Sequence, residues 1–154
     1  MISKTCHTPG ETFALGRKIG YGLLGGDVVL LYGGLGAGKT LLAKGILDAL
    51  GFEVDEVTSP SFSLVNLYKT SPFNVYHIDL WRLEPKSDPA AAVGLEDILE
   101  DASAVTIIEW ADRLSKNTMP ANVIVVNITG DGDEPRAISI SDSRDGRARA
   151  GEKI

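Results

Sequence analysis

The segment Gly33-Gly34-Leu35-Gly36-Ala37-Gly38-Lys39-Thr40 constrains this chain more than any other part of it. It satisfies G-x-x-x-x-G-K-[ST] at every fixed position, and its neighbours supply the context that the pattern needs. Asp27–Tyr32, DVVLLY, is an apolar run without polar alternation, which marks a strand buried on both faces. From about Gly38 to Leu50 the pattern is helical, and Gly51 closes it. A strand, a glycine turn and a helix in that order form a nest of inward-pointing backbone N–H groups backed by a helix N-terminus. That is an anion site. Gly34, Leu35, Gly36, Ala37, Gly38, Lys39 and Thr40 are therefore assigned to the phosphates of ATP. Lys39 is expected to reach the β- and γ-phosphates, and the Thr40 hydroxyl to face the Mg2+ that bridges them. The competing account is a glycine-rich turn with a stray lysine, which leaves the flanking strand and helix unexplained.

The rest of the chain reads as one α/β unit. Thr8-Pro9-Gly10-Glu11 has capping-box spacing, with Pro9 at the first helical position, and opens a helix to about Leu24. Residues 53–63 read as a loop around Pro60. Strands are expected at Leu64–Tyr68 and Asn74–Leu80, split by the turn at Lys69-Thr70-Ser71-Pro72. Residues 84–92 form a connection, Leu95–Leu99 a short helix and Ala104–Glu109 another buried strand. Asn122–Thr129 and Arg136–Ser141 form a closing hairpin. The expected fold is a single P-loop NTPase-like domain over residues 1–141, a mixed β-sheet flanked by helices. A flexible charged tail is expected over residues 142–154.

Bulk properties narrow the class of partner. A chain of 154 residues can bury one core without staples. Cys6 is the single cysteine, so no internal disulfide forms, and no stretch approaches a membrane span. The expectation is a cytoplasmic protein. A net charge of -6 argues against broad electrostatic capture of nucleic acid. The acidic excess gathers in residues 84–101, where Glu84, Asp88, Glu96, Asp97, Glu100 and Asp101 face only Lys86. Such a run is a solvated face or a docking surface for a basic partner.

Hydrolysis needs more than a phosphate loop: an acid to orient metal and a positioned water. Glu109, at the end of VTIIE, stands where a Walker B acid would lie at the strand's C-terminal edge. Asp79, at the end of NVYHID, has the same relation to its own strand. The alternative for each is to cap its strand and pair with Arg82 or Arg113. Trp110 packs over the site or fills the core. His77 reads as a structural histidine, and with only His7 and Cys6 besides, a zinc site has no ligand set. Thr58-Ser59-Pro60-Ser61-Phe62 follows the phosphate-loop helix, where small hydroxyls can sense a γ-phosphate; the alternative is a plain connection.

GGLGAGKT, TSPSF, YHIDLWRL and IIEWADR, in this order, resemble the bacterial TsaE (YjeE) family over about residues 5–141. That family is the ATPase component of the system that makes threonylcarbamoyladenosine (t6A) in tRNA. The resemblance implies ATP contacts from residues 34–40 and Mg2+ contacts from Thr40 and Glu109. It implies a catalytic part for Asp79, with Glu109, and nucleotide contacts from Thr12 and Arg136. It also implies the TsaD and TsaB subunits as partners, which perform the threonylcarbamoyl transfer while this chain supplies ATP-driven work. The family's usual loop is GDLGAGKT, so Gly34 replaces an aspartate; the backbone cradle survives that change and any side-chain role does not. Two other classes share the loop. A small-molecule kinase needs an acceptor pocket and arginines over the phosphoryl group, for which this chain has few residues to spare. A nucleotide-gated binding module shares every binding residue and differs only in turnover.

Overall fold

The run after Asp27 becomes β2 (Val28–Gly33), the middle of a seven-stranded sheet. The computed structural model describes residues 1–58, 60, 63–84, 88–115, 118–120 and 122–144. In chain order the strands are β1 (Ile2–Cys6), β2, β3 (Val65–Lys69), β4 (Asn74–Asp79), β5 (Ala104–Glu109), β6 (Val123–Thr129) and β7 (Arg136–Asp142). Their spatial order is β1-β7-β6-β2-β5-β4-β3. The four central strands run parallel, and antiparallel strands close both edges. Central position explains composition: β5 is buried at all six residues, and a strand covered on both faces carries no polar alternation.

The two faces are covered by different layers. Val29, Leu31, Val105 and Ile107 pack with α1 (Pro9–Tyr21) and α2 (Lys39–Ala49). Val28, Leu30, Ile78 and Ile108 pack on the other side with Leu95 of α4 (Leu95–Glu100), which follows the short α3 (Pro89–Val93). Three glycines let α1 and α2 cross with backbones nearly touching. A Cβ at Gly16 would lie 2.3 Å from the Leu42 carbonyl oxygen, and one at Gly45 would lie 2.2 Å from that of Phe13. Gly20 approaches Ala49 and Ile46 in the same way. This crossing brings the first turn of α1 up to the start of α2.

The N-terminus of α1 is capped as its sequence predicts, with Thr8 Oγ1 accepting from the Glu11 N–H at 3.2 Å. Glu11 reaches one residue past the cap, to the His7 N–H at 2.6 Å. The helix stops at Tyr21, earlier than the expected Leu24, because Asp27 Oδ2 takes the Leu24 N–H at 2.8 Å and turns the chain into β2. β1 was outside the expected elements. It is an edge strand that pairs only with β7, and only Cys6 in it is buried, so it lacks the apolar pattern of the inner strands.

The fold extends past residue 141, as far as Arg144. β7 runs to Asp142, and the Arg144 side chain is fully buried between Asp27 and Asp142 at 2.7 and 2.6 Å. It also donates to the Gly22 carbonyl at 2.9 Å, which ties the end of α1 to the end of β7. Residues 142–144 are thus part of the fold and not of a tail. The remainder of the expected tail, 145–154, lies outside the described residues.

Candidate phosphate and carboxylate site

The parallel strands β2, β4 and β5 all end at one sheet edge, so whatever follows them gathers there. After β2 comes the glycine loop. Gly36 and Gly38 have φ of +76° and +109°, backbone that a side chain would strain, and α2 begins directly after Gly38. Among the described residues Gly34 has no neighbour within 4 Å of a Cβ position, so the residue that departs from the GDLGAGKT pattern faces open space there.

Lys39 turns back over its own loop. Its Nζ donates to the carbonyls of Gly33 and Gly34, both at 2.7 Å, and lies 4.0 Å from the centroid of the Trp110 ring. The residue is only 5% exposed. Burial pulls the ammonium below the usual lysine range, while Glu109, Asp79 and Asp112 oppose that shift. Trp110 adopts φ +57°, a left-handed conformation costly for a bulky residue, and this turns its ring across the loop. Trp81 stacks on it with centroids 4.2 Å apart, and the Arg113 guanidinium lies 5.4 Å from the Trp81 ring. Trp110 therefore packs over the site. Trp81 lines the site, with Arg113 against its ring, and sequence reasoning assigned neither of them to it.

The two acids are brought together by register. Asp79 and Glu109 are direct partners across β4 and β5, so both point to the α2 side of the sheet. Thr40, in the first turn of α2, donates to Glu109 Oε1 at 2.9 Å, with Oε2 at 3.2 Å. Asp79 Oδ1 accepts the Trp81 N–H at 2.9 Å. Asp79, Glu109, Lys39, Thr40, Trp81 and Trp110 share a cavity of about 400 Å3 on one side of the loop. His77 lies beneath them, its Nε2 2.5 Å from Glu109 Oε2, with neither side chain more than 3% exposed. The spacing His77-x-Asp79, which sends both side chains to one face, was the available signal.

A second cavity of about 270 Å3 opens on the other side of the loop. Thr12, Gly36, Ala37, Gly38 and Arg136 line it, with the hairpin tip at Gly132–Glu134. Thr12 is buried against Gly38. Arg136 is a strut to the loop: it donates to the carbonyls of Ala37 at 3.0 Å, Gly36 at 3.3 Å and Gly132 at 3.0 Å, and to that of Glu134. All the residues assigned from the sequence thus border one loop, divided between its two sides. Of the expected sensing segment, Thr58 is held by Tyr68, whose hydroxyl donates to the Thr58 carbonyl at 3.2 Å; Ser59, Ser61 and Phe62 lie outside the described residues. A larger cavity, about 650 Å3, lies away from the loop along α3 and α4, rimmed by Asp88, Glu96, Asp97 and Glu100.

The family model described as "Threonylcarbamoyl adenosine biosynthesis protein TsaE" matches residues 6–138. The chain belongs to the TsaE family. Among curated TsaE proteins, that of Nostoc sp. is 37% identical over 127 residues, covering 80% of this chain and 75% of its own. The Bacillus subtilis protein is 32% identical over 133 residues, covering 86% and 80%. The crystal structure of YdiB from the same organism superposes with a TM-score of 0.73 at 27% identity, covering 92% of this TsaE-family chain and 85% of YdiB. The α/β architecture with its mixed seven-stranded sheet is thus the fold of that neighbour. Among the described residues, no helix is long and apolar enough to cross a membrane.

Proposed function

We propose that this chain binds and hydrolyses Mg-ATP and, through a nucleotide-dependent surface, drives a TsaD–TsaB assembly in t6A modification of tRNA. The observation that carries this reading is the contact of Thr40 with Glu109 at the head of α2, beside a glycine loop with cavities on both sides. The loop N–H groups and Lys39 suit the phosphates. To meet them, Lys39 exchanges the Gly33 and Gly34 carbonyls for stronger, charged acceptors. The second cavity, by Thr12 and Arg136, suits the nucleoside end.

The donor set fits Mg2+. Thr40 and Glu109 offer hard oxygens within hydrogen-bond distance of each other. No group of three or more His, Cys, Asp or Glu side chains forms a metal cage among the described residues. Mg2+ is held in such sites by one or two protein oxygens, with phosphates and water completing the shell. When bound it would neutralise charge developing on the phosphoryl oxygens. Asp79, beside Glu109 and lining the same cavity, is the acid available to orient a water toward the γ-phosphate.

The test is nucleotide titration and hydrolysis, each with and without TsaD–TsaB. Lys39→Ala is expected to weaken ATP binding about 10- to 100-fold, the worth of one charge-assisted contact of roughly 1.5–3 kcal/mol. Glu109→Gln is expected to keep binding and lose about 10²-fold in hydrolysis. Equal ATP affinity in Lys39→Ala and the parent refutes the phosphate assignment. ATP binding with no turnover in the full assembly leaves a nucleotide-gated binding module instead. Partner affinity that is identical with ATP and ADP refutes the coupling.

A further inference from the structure

We infer that His77 is a positioning residue for Glu109, committing one carboxylate oxygen to the sheet interior so that the other faces Thr40 and the phosphate loop. The inference rests on the hydrolysis reading above for its consequence, but not for its geometry. His77 pairs in register with Ile107 on β5, and Glu109 follows two residues later. Both side chains therefore project from the same sheet face. His77 Nε2 stands 2.5 Å from Glu109 Oε2, while Thr40 Oγ1 stands nearer to Oε1, at 2.9 Å, than to Oε2, at 3.2 Å. The carboxylate is held from below by an imidazole and from above by a hydroxyl.

The hydrogen-bond pattern assigns the imidazole proton. A carboxylate oxygen accepts, so Nε2 must carry the hydrogen that bridges to Glu109. Among the described residues Nδ1 is buried without a hydrogen-bond partner, and a hydrogen placed there would meet no acceptor among them. The ring is thus an Nε2–H tautomer that donates once, toward Glu109. It is also held in orientation: the Tyr68 ring lies 6.3 Å from it, and Phe52 packs on Tyr68 at 4.7 Å. A histidine that merely filled space would leave Glu109 free to pivot about Thr40. This one removes that pivot, as partners of metal-ligating side chains do.

Two variants separate positioning from packing. His77→Leu fills the volume without a donor, and His77→Gln returns an N–H on a similar reach. The readout is the intrinsic fluorescence of Trp81 and Trp110 during ATP titration at varied Mg2+, with thermal melts to verify folding. His77→Leu is expected to need about 10- to 100-fold more Mg2+ for the half-maximal ATP response. ATP binding in excess chelator is expected to stay at the parent level. His77→Gln is expected to recover most of the Mg2+ dependence. A folded His77→Leu with the parent's Mg2+ dependence overturns the inference, and so does a folded His77→Gln as impaired as His77→Leu. Nitrogen NMR of the parent protein, labelled at its imidazoles and free of nucleotide, tests the geometry even where a variant fails to fold. A hydrogen on Nε2 and a bare Nδ1 are expected, and the reverse tautomer overturns the proposal. That measurement stands whether or not the parent hydrolyses ATP, so failure here and failure of the hydrolysis reading are told apart.

Discussion

Arg144→Met is expected to destabilise the protein by about 3–5 kcal/mol, the usual cost of removing one partner from a buried ion pair. The structure says why a cost of this size applies. Arg144 and Asp27 are 0% and 1% exposed at the side chain, and the guanidinium donates to Asp27, Asp142 and the Gly22 carbonyl. Methionine fills much of the volume, but Asp27 is left with the Leu24 N–H as its remaining contact from this network, away from water. At about 2–4 °C per kcal/mol for a domain of this size, the melting temperature is expected to fall by roughly 6–20 °C at pH 7. Calorimetric or circular-dichroism melts measure it. Adding Asp27→Asn is expected to restore part of the loss, because the unpaired charge is gone. The pH dependence has a defined sign. The hydrogen bond from Arg144 holds the Asp142 carboxyl below the usual aspartate range, so its contribution is complete above that range and fades as pH falls through the lower, folded-state value. The gap between parent and variant is therefore expected to narrow in acid. A melting temperature within about 2 °C of the parent at pH 7, less than 1 kcal/mol on the same scale, would refute the account.

Gly45→Ala is expected to lose about 1–2 kcal/mol in denaturant unfolding. A Cβ there would lie 2.2 Å from the Phe13 carbonyl oxygen, and backbone cannot rotate aside, so the overpacking cost falls in the upper part of roughly 1–3 kcal/mol and exceeds the helix-propensity gain of about 1 kcal/mol. Because α1 carries Thr12 beside Gly38, the same variant is expected to weaken ATP binding in fluorescence titration. A Cβ at Gly34 meets no atom of the described residues within 4 Å, so the stability of Gly34→Asp is expected to stay within about 0.5 kcal/mol of the parent. Comparing hydrolysis in the two proteins then reads the side-chain role of that aspartate directly.

The glycine loop, the strand before it and the helix after it were legible because their signals are local. Consecutive apolar residues, glycines at positive φ and a capping threonine each act within a few residues of themselves. β5 was readable to its ends for the same reason, since burial on both faces leaves a run at Ala104–Ile108 that is apolar but for Thr106. β1 was not, because an edge strand with one buried residue owes its existence to β7, about 130 positions away. The order of the strands was equally invisible. It is that order which sets Asp79 opposite Glu109 and lets Thr40 reach its carboxylate.

Charged residues show the division most sharply. From sequence, Arg144 belongs to a polar tail and His77 to the ordinary run of core histidines. In the fold, one closes a buried ion pair with Asp27 and the other grips Glu109. Chain pattern alone determined the glycine loop, the helix that backs it and the buried strands, because backbone conformation and hydrophobic period are properties of neighbouring residues. Only the tertiary structure decided which polar groups meet. A hydrogen bond reaches about 3 Å, and whether two residues come within it depends on every strand and helix that lies between them.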